Sequence, residues 1–422
     1  MSFAVNAAPP RSGPVTDPIR VMVVDDSVVV RGLIGRWIDE EPEIAVVASH
    51  RNGRLAVEDV ERSDPDVVIL DIEMPEMDGL TALPKMLAKK PGLIVIIAST
   101  LTRRNAEISI RALSLGAQDY LAKPETNSGV TTSVEFRQEL LRKVKHLGAA
   151  RRRRAGRPPA VPAAPLGRPA GGRSFAAERP GGGLGSTRPM GRATAAPQPG
   201  ARPHGAAAPA PVGGRSMAGI KLRSYSPQMP RVLTIGTSTG GPQALAVLFG
   251  QIGRAIDRVP VLVTQHMPPT FTAILAEHMA KVAGRPAHEG QEGEVVKPGT
   301  IYVAPGGKHM TVEKSGADVV IRLNDGPPVN FCKPAVDPLF DSVAKAYGSA
   351  TLALVLTGMG NDGENGTRTI ARAGGSIIAQ DEASSVVWGM PGAAAHTGEC
   401  SEVLPLDQIG PKVTRILGGQ RL

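Results

Sequence analysis

Cysteine is nearly absent from this sequence: Cys332 and Cys400 are the two in 422 residues. Neither stands at metal-ligand spacing, and two thiols make no disulfide framework. Such usage fits a reducing compartment, with both expected as small core or surface residues. Also missing is any apolar run of roughly eighteen residues or more, which excludes a membrane-spanning helix. The first 18 residues, rich in Ala, Pro and Ser, have no apolar stretch and read as a loose tail. A cytoplasmic location is expected. Positive charge is missing from most of the chain despite a net +9. Residues 148–226 hold thirteen Arg, one Lys and one Glu, a local +13 that leaves −4 for everything else. The basic character therefore belongs to one segment between two mildly acidic regions.

A chain of 422 residues has room for two or three domains, each with its own core. Residues 19–147 alternate short β-rich runs, at 19–24, 44–48, 67–70, 93–98 and 120–122, with helical patterns such as 27–39 and 106–115. That rhythm predicts a doubly wound parallel sheet with helices on both faces. The apolar runs at 21–24 and 67–70 suit central strands covered on both sides. Residues 148–225 shift to Ala, Pro, Gly and Arg without apolar periodicity. Such a segment cannot bury enough surface to offset its ordering entropy, so a disordered linker is expected. A flexible chain of about 75 residues spans roughly 50 Å and gives an effective concentration on the order of millimolar or less. Coupling across it would need a domain interface.

From 226 to 417 the α/β pattern returns. Strands are predicted at 232–235, 261–265, 300–303, 319–323, 352–356 and 376–379, and helices at 242–248, 271–282, 338–347 and 365–373. This is a second α/β domain built on a parallel sheet.

Parallel sheets gather functional residues at the carboxyl ends of their strands. In the first domain Asp25 and Asp26 end one predicted strand and Asp71 ends the third. Carboxylates gathered there repel one another unless a hard cation sits between them, and Mg²⁺ suits an all-oxygen site. Ser99 ends the fourth strand and offers a hydroxyl; Lys123, before Pro124, ends the fifth and offers a positive charge. A carboxylate nucleophile, a cation, a lysine and a hydroxyl together suit capture of a phosphoryl group. Singly, each acid is as well explained as a helix cap.

Val23-Val24-Asp25-Asp26-Ser27, Leu70-Asp71-Ile72-Glu73-Met74-Pro75-Glu76-Met77-Asp78-Gly79 and Ala122-Lys123-Pro124 resemble the response-regulator receiver family over residues 19–147. The resemblance implies that Asp71 is a phospho-acceptor charged by a histidine kinase. It also implies that Asp26, Asp71 and the backbone carbonyl of Glu73 hold Mg²⁺, with Asp25 in the outer shell.

The second domain has three glycine-rich or strand-end loops of interest. Gly236-Thr237-Ser238-Thr239-Gly240-Gly241 follows a strand and precedes a helix opened by Pro242. A serine there is exposed, and the Thr239 N–H is placed to receive an oxyanion. His266 follows the second strand, and Asp362, in Thr357-Gly358-Met359-Gly360-Asn361-Asp362-Gly363, follows the apolar strand 352–356. A serine needs a base, and the base needs a carboxylate to fix its tautomer. The chain order Ser–His–Asp differs from that of α/β-hydrolases and argues for a separate fold. Gly358, Gly360 and Gly363, with Asp381 eighteen residues on, also satisfy a dinucleotide fingerprint. Too little chain follows for the second half of such a fold, and the fingerprint leaves Ser238 and His266 without a task.

At these loops, and at Tyr302-Val303-Ala304-Pro305-Gly306 and Gly389-Met390-Pro391, residues 226–417 are similar to the catalytic domain of chemotaxis protein-glutamate methylesterases. That resemblance maps nucleophile, base and orienting acid onto Ser238, His266 and Asp362, and the oxyanion donors onto backbone N–H groups including that of Met359. It implies hydrolysis of glutamate methyl esters on methyl-accepting chemotaxis receptors, glutamine deamidation as a further activity, and no cofactor at the ester site. The expected whole is a phosphorylation-activated esterase of a two-component system. Thr237 stands where that family usually has Ala, and Ala335 where Ser is common; Thr237, beside the nucleophile, is expected to tune substrate fit. A DNA-binding regulator is the rival, but no DNA-reading unit follows the receiver, so no sequence-specific nucleic-acid partner is expected. The arginines at 151–154 read as solvated charge. The linker's charge suggests peripheral association with receptor arrays or anionic lipid.

Overall fold

The computed structural model describes residues 17–100, 102–123, 134–156 and 219–420. Most of the expected tail, most of the linker and Pro124 lie outside the described residues.

The first domain is a five-stranded sheet of β1 (Ile19–Val24), β2 (Ile44–His50), β3 (Val67–Asp71), β4 (Ile94–Thr100) and β5 (Asp119–Lys123) in the order β2-β1-β3-β4-β5. All pairs are parallel. Helices α1 (Val28–Asp39), α2 (Gly53–Ser63), α3 (Gly79–Lys89) and α4 (Arg103–Ser114) form the crossovers, followed by α5 (Val134–Arg154). Caps fix where the crossovers begin: Ser27, Asn52, Asp78 and Thr102 each accept from a first-turn N–H. Every residue of β3 is buried, as its apolar run requires of a central strand.

Helix α5 departs from the expected boundary at 147. It continues to Arg154, and its arginines are largely engaged: Arg152 is 1% exposed and pairs with Asp17, while Arg151 pairs with Asp66 and donates to the Gly92 carbonyl at 2.9 Å. Arg151 and Arg152 thus form a structural end to the domain rather than solvated charge, while Arg153 and Arg154 are exposed. At the other side of the linker, the second domain begins before 226. Arg223 donates from Nη1 to the Ala371 carbonyl at 2.8 Å, and Tyr225 donates to Glu402 at 2.5 Å.

The second domain has a seven-stranded parallel sheet in the order β14-β13-β12-β6-β7-β9-β8. Its strands are β6 (Val232–Thr237), β7 (Val261–Gln265), β8 (Ala287–Glu289), β9 (Ile301–Val303), β12 (Thr351–Val355), β13 (Ser376–Gln380) and β14 (Glu402–Leu404). Helices α6 (Gly241–Ile252), α7 (Phe271–Ala283), α8 (Val336–Tyr347), α9 (Glu364–Arg372), α10 (Met390–His396) and α11 (Leu406–Leu417) accompany it. The predicted strand at 319–323 is real but lies outside this sheet. As β11 (Asp318–Asn324) it pairs antiparallel with β10 (His309–Ser315) in a hairpin turning at Gly316, φ 61°. β8 and β14, three residues each without the apolar run of β9, escaped prediction, as did the polar-rich seven-residue β10.

The two domains meet on their apolar faces. Tyr120 of β5 stacks on Phe271 of α7, ring centroids 4.7 Å apart and planes at 15°. Leu113 and Ala117 from the end of α4 join the same buried cluster as Leu245 and Leu248 of α6. The interface is therefore a continuous core rather than a wet contact.

Candidate active site and phosphoryl pocket

Strand order reverses direction at β1 and at β6, the switch points where parallel sheets open a crevice at their carboxyl edge. The candidate residues of both domains fall there.

In the first domain Asp25, Asp26 and Asp71 each present a carboxylate oxygen within 4.8 Å of the others. Asp25 and Asp71 are buried and Asp26 is exposed, so the pocket opens on one side. Lys123 reaches Asp25 at 2.7 Å and Asp71 at 2.8 Å. Burial pushes the Asp71 carboxyl up to about 6, with Lys123 opposing the shift and Asp25 reinforcing it. A carboxylate crowded in this way fits a hard divalent cation, which would relieve the repulsion and take oxygen ligands from this set. Glu73 is exposed on the loop two residues beyond Asp71. Ser99, expected to face the phosphoryl group, instead shares a 2.8 Å hydrogen bond with Ser109 on α4.

In the second domain Ser238 follows β6, His266 follows β7 and Asp362 lies in the loop after β12. The Ser238 N–H donates to the Thr357 carbonyl at 3.0 Å, and Gln265 Nε2 donates to the Ser238 carbonyl at 2.9 Å. These bonds lash the three loops together. His266 Nε2 is 2.7 Å from Asp362 Oδ2. Asp362 also accepts from the Val336 N–H at 2.6 Å, the Asp337 N–H at 3.1 Å, Asn330 Nδ2 at 3.0 Å and the Gly363 N–H at 3.1 Å. Burial pushes the Asp362 carboxyl up, but His266, the Val336 N–H and Asn330 outweigh it and hold it below the ordinary value. Two of those donors are the first turn of α8, whose dipole favours a carboxylate. Reciprocally, Asp337 of α8 accepts from Gly363 at 3.0 Å and Gly366 at 2.8 Å at the start of α9. The acid is thus fixed and ionised.

The other ring nitrogen of His266 meets an unexpected neighbour. Cys332 Sγ lies 3.2 Å from Nδ1, and among the described residues no hydrogen bond joins Ser238 Oγ to the ring. Burial pulls the His266 imidazole down, yet Cys332 and Asp362 beside the ring outweigh it and hold its proton affinity above the ordinary value. Cys400 lies in the core as expected, whereas Cys332 belongs to the site. No spacing in the sequence signals this, because residues 266 and 332 meet only through the fold.

Among the described residues, neither the Thr239 nor the Met359 N–H has a backbone acceptor, so both can serve an oxyanion. Thr237, expected to tune substrate fit, is fully buried and donates to the Thr357 carbonyl at 2.9 Å. Gly358 lies so close to the serine that a Cβ would come within 2.9 Å of Ser238 Cβ and 2.4 Å of Met390 Sδ. Gly358→Ala is expected to displace the serine and lower esterase turnover at least about tenfold, a rise of ~1.4 kcal/mol in the barrier, with the circular dichroism spectrum retained. Unchanged turnover would show that the loop shifts freely. Asp381, the acid of the dinucleotide fingerprint, accepts from Ser384 N and Oγ at 3.0 and 2.6 Å and serves its own turn.

The first domain sits directly on this site. Thr239 Oγ1, one residue past Ser238, donates to Asp119 Oδ2 at 2.8 Å. Gln243 Nε2 donates to the Leu113 carbonyl at 3.0 Å and also to that of Ala117. Arg103 pairs with Glu277 at 2.7 Å, and Arg154 donates to the Ser385 carbonyl. Lys143 bonds Asp119 at 3.2 Å and lies over the Tyr120 ring, 4.9 Å from its centroid.

Residues 233–413 match the family model of the CheB methylesterase, and residues 21–135 match that of the response regulator receiver domain. A protein-glutamate methylesterase/protein-glutamine glutaminase of group 2 operon from Rhodopseudomonas palustris is 55% identical over 421 residues, covering 100% of both chains. A protein-glutamate methylesterase/protein-glutamine glutaminase from Nitrobacter winogradskyi is 56% identical over 418 residues and covers 96% of each. Among solved structures, the Thermotoga maritima CheB methylesterase catalytic domain is 36% identical, covers 44% of this chain and 98% of its own, and gives a TM-score of 0.43.

Proposed function

The chain belongs to the protein-glutamate methylesterase/protein-glutamine glutaminase family that joins a receiver to a CheB methylesterase domain, and from that premise we propose a phosphorylation-activated hydrolase of chemotaxis-receptor glutamate methyl esters. The observation that carries the reading is the His266–Asp362 pair at 2.7 Å beside the Ser238 loop, with two uncommitted main-chain donors.

In this reading His266 takes the Ser238 proton as the serine oxygen attacks the γ-carbonyl of a methylated receptor glutamate. The N–H groups of Thr239 and Met359 receive the oxyanion, and Asp362 steadies the imidazolium. Methanol leaves, and water, deprotonated by the same ring, releases glutamate from the acyl-enzyme. With ammonia as the leaving group, the same centre deamidates specific receptor glutamines.

Control runs through the receiver. A chemotaxis-type histidine kinase supplies the phosphoryl group to Asp71. Asp25, Asp26 and Asp71, with the Glu73 carbonyl, would hold Mg²⁺, which when bound neutralises phosphoryl oxygens. Lys123 would bond the phosphoryl group from the other side. Ser99 would donate its hydroxyl to the phosphoryl group, and its bond to Ser109 would carry that change to α4. Helix α4 and β5 carry the contacts to Gln243, Phe271 and Thr239, so their shift would uncover Ser238. The protein would act in the cytoplasm at receptor arrays; among the described residues no helix is long and apolar enough to cross a membrane.

Methanol release from methylated receptor membranes, with and without acetyl phosphate, tests substrate and switch together. Stimulation by the phosphodonor supports the reading, and absence of methanol in both arms refutes the substrate. Chelation by EDTA is expected to abolish the stimulation while leaving basal turnover within about twofold. Equal loss in both arms would place the metal requirement at the ester site instead.

A further inference from the structure

The segment between β11 and α8 holds a feature that a serine triad does not require. Val329 N–H donates to the Cys332 carbonyl at 3.0 Å, and Cys332 N–H donates back to Val329 at 2.9 Å. These bonds close a two-residue turn whose central residues, Asn330 and Phe331, have φ of 51° and 64°. Two successive positive φ values define a primed hairpin turn, which favours Asn-Gly; phenylalanine at the second position is strained. Strain of this kind persists where the surroundings hold a loop in a working position. Both polar residues of the turn enter the catalytic centre. Asn330 Nδ2 donates to Asp362 Oδ1 at 3.0 Å and to Asp337 Oδ2 at 3.1 Å, and Cys332 Sγ sits 3.2 Å from His266 Nδ1.

Cys332, His266 and Asp362 therefore stand in a row, sulfur to ring to carboxylate. A thiol beside an imidazole held by a carboxylate can pass its proton to the ring as it reacts. The raised proton affinity of His266 agrees with that arrangement. The neighbouring Lys333 does not compete, because its ammonium is turned to Asp325. Cys332 is half-buried, open to a small reagent, while Cys400 is fully buried and, among the described residues, bonds no histidine.

We propose that Cys332 is an oxidisable thiol of the ester site, activated by the His266 ring beside it, and that its conversion to a sulfenic acid by hydrogen peroxide or a small hydroperoxide shuts the esterase off. The sulfur lone pair attacks the near peroxide oxygen; the S–O bond forms as the O–O bond breaks. The departing hydroxide takes the proton from the His266 imidazolium and leaves as water. Sulfur is oxidised by two electrons and the peroxide is reduced. The new S–OH donates to the neutral Nδ1, the lone pair that Ser238 needs for its own proton. A dithiol reductant returns the sulfur to its thiol. The shut-off rests on His266 being the base for Ser238, whereas the reactivity of the thiol does not.

The full-length chain tests both parts. After hydrogen peroxide, dimedone followed by peptide mass mapping should label Cys332 and not Cys400. At pH 7, iodoacetamide should alkylate Cys332 at least tenfold faster in the wild type than in His266→Gln. Peroxide should lower phosphodonor-stimulated methanol release at least tenfold, and dithiothreitol should restore it. Cys332→Ala, whatever its own rate, should lose less than twofold under the same treatment; Cys332→Ser replaces it if the alanine variant does not fold. No dimedone label at Cys332, equal alkylation in the two chains, or equal peroxide loss in wild type and variant each overturns the proposal. So does a labelled Cys332 with undiminished methanol release. Failure of the serine reading shows separately, as methanol release retained by Ser238→Ala.

Discussion

Ser238→Ala is expected to lower methanol release from methylated receptor membranes by about 10³-fold or more, in line with loss of a triad nucleophile. Removing the hydroxyl leaves the site's scaffold in place. Ser238 holds the loops through its main chain, donating to Thr357 and accepting from Gln265, and neither bond involves Oγ. The variant should therefore fold with an unchanged melting temperature within a few degrees and still receive phosphate at Asp71. Any residual turnover would come from the oxyanion donors and substrate positioning alone. Retention of a tenth or more of the wild-type rate would remove Ser238 as nucleophile and turn attention to Cys332, which already faces the same histidine.

Deleting residues 1–218 is expected to raise basal activity at least about tenfold and to abolish the response to phosphodonor. The cut falls at 218 rather than 225 because Arg223 and Tyr225 are bonded to Ala371 and Glu402 of the catalytic domain. What the deletion removes is a specific cover. The exposed Arg103–Glu277 pair, screened by solvent, adds little. The Tyr120–Phe271 stack adds ~0.5–1.5 kcal/mol beyond its area. Buried hydrogen bonds such as Thr239 to Asp119 add ~0.5–1.5 kcal/mol each. In the proposed control a few kcal/mol in sum would keep the site closed, since 1.4 kcal/mol is about tenfold in population. It is also within reach of a phosphorylation event that relocates one hydroxyl and one helix. In the full chain, Asp119→Ala should move basal activity in the same direction by less, and Asp71→Asn should stay at the basal rate with acetyl phosphate present. Equal basal rates for the full chain and the deletion would show that the receiver does not cover the ester site.

Much of this was legible in the sequence, for a physical reason. Residues whose chemistry depends on a strand end are marked by local features: a short apolar run, then Asp25, Asp71, Ser238, His266 or Asp362, then a glycine, a cap or a helical period. β1 and β7 occupy the residues expected of them, the other predicted strands shift by a residue or two at their ends, and the seven-residue β10 was not predicted. Where local signals are weak the reading lapsed. The hairpin of β10 and β11 alternates like a sheet strand but pairs with itself and with the 294–296 segment, outside the main sheet. Helix α5 runs through an arginine tract because Asp17 and Asp66 receive the charges, and Asp17 lies more than a hundred residues away in sequence.

By itself, then, the sequence determined two parallel α/β domains, their order, and the acids, serine and histidine at their strand ends, because apolar period and turn chemistry are properties of neighbouring residues. The tertiary structure alone decided the long-range contacts. It set Ser99 on Ser109 rather than toward Asp71, and Thr237 into the core. It laid β5 of the receiver across the residue after Ser238, and it brought Cys332 to His266. Such pairs are set by how packed surfaces meet, and no periodicity along the chain encodes that.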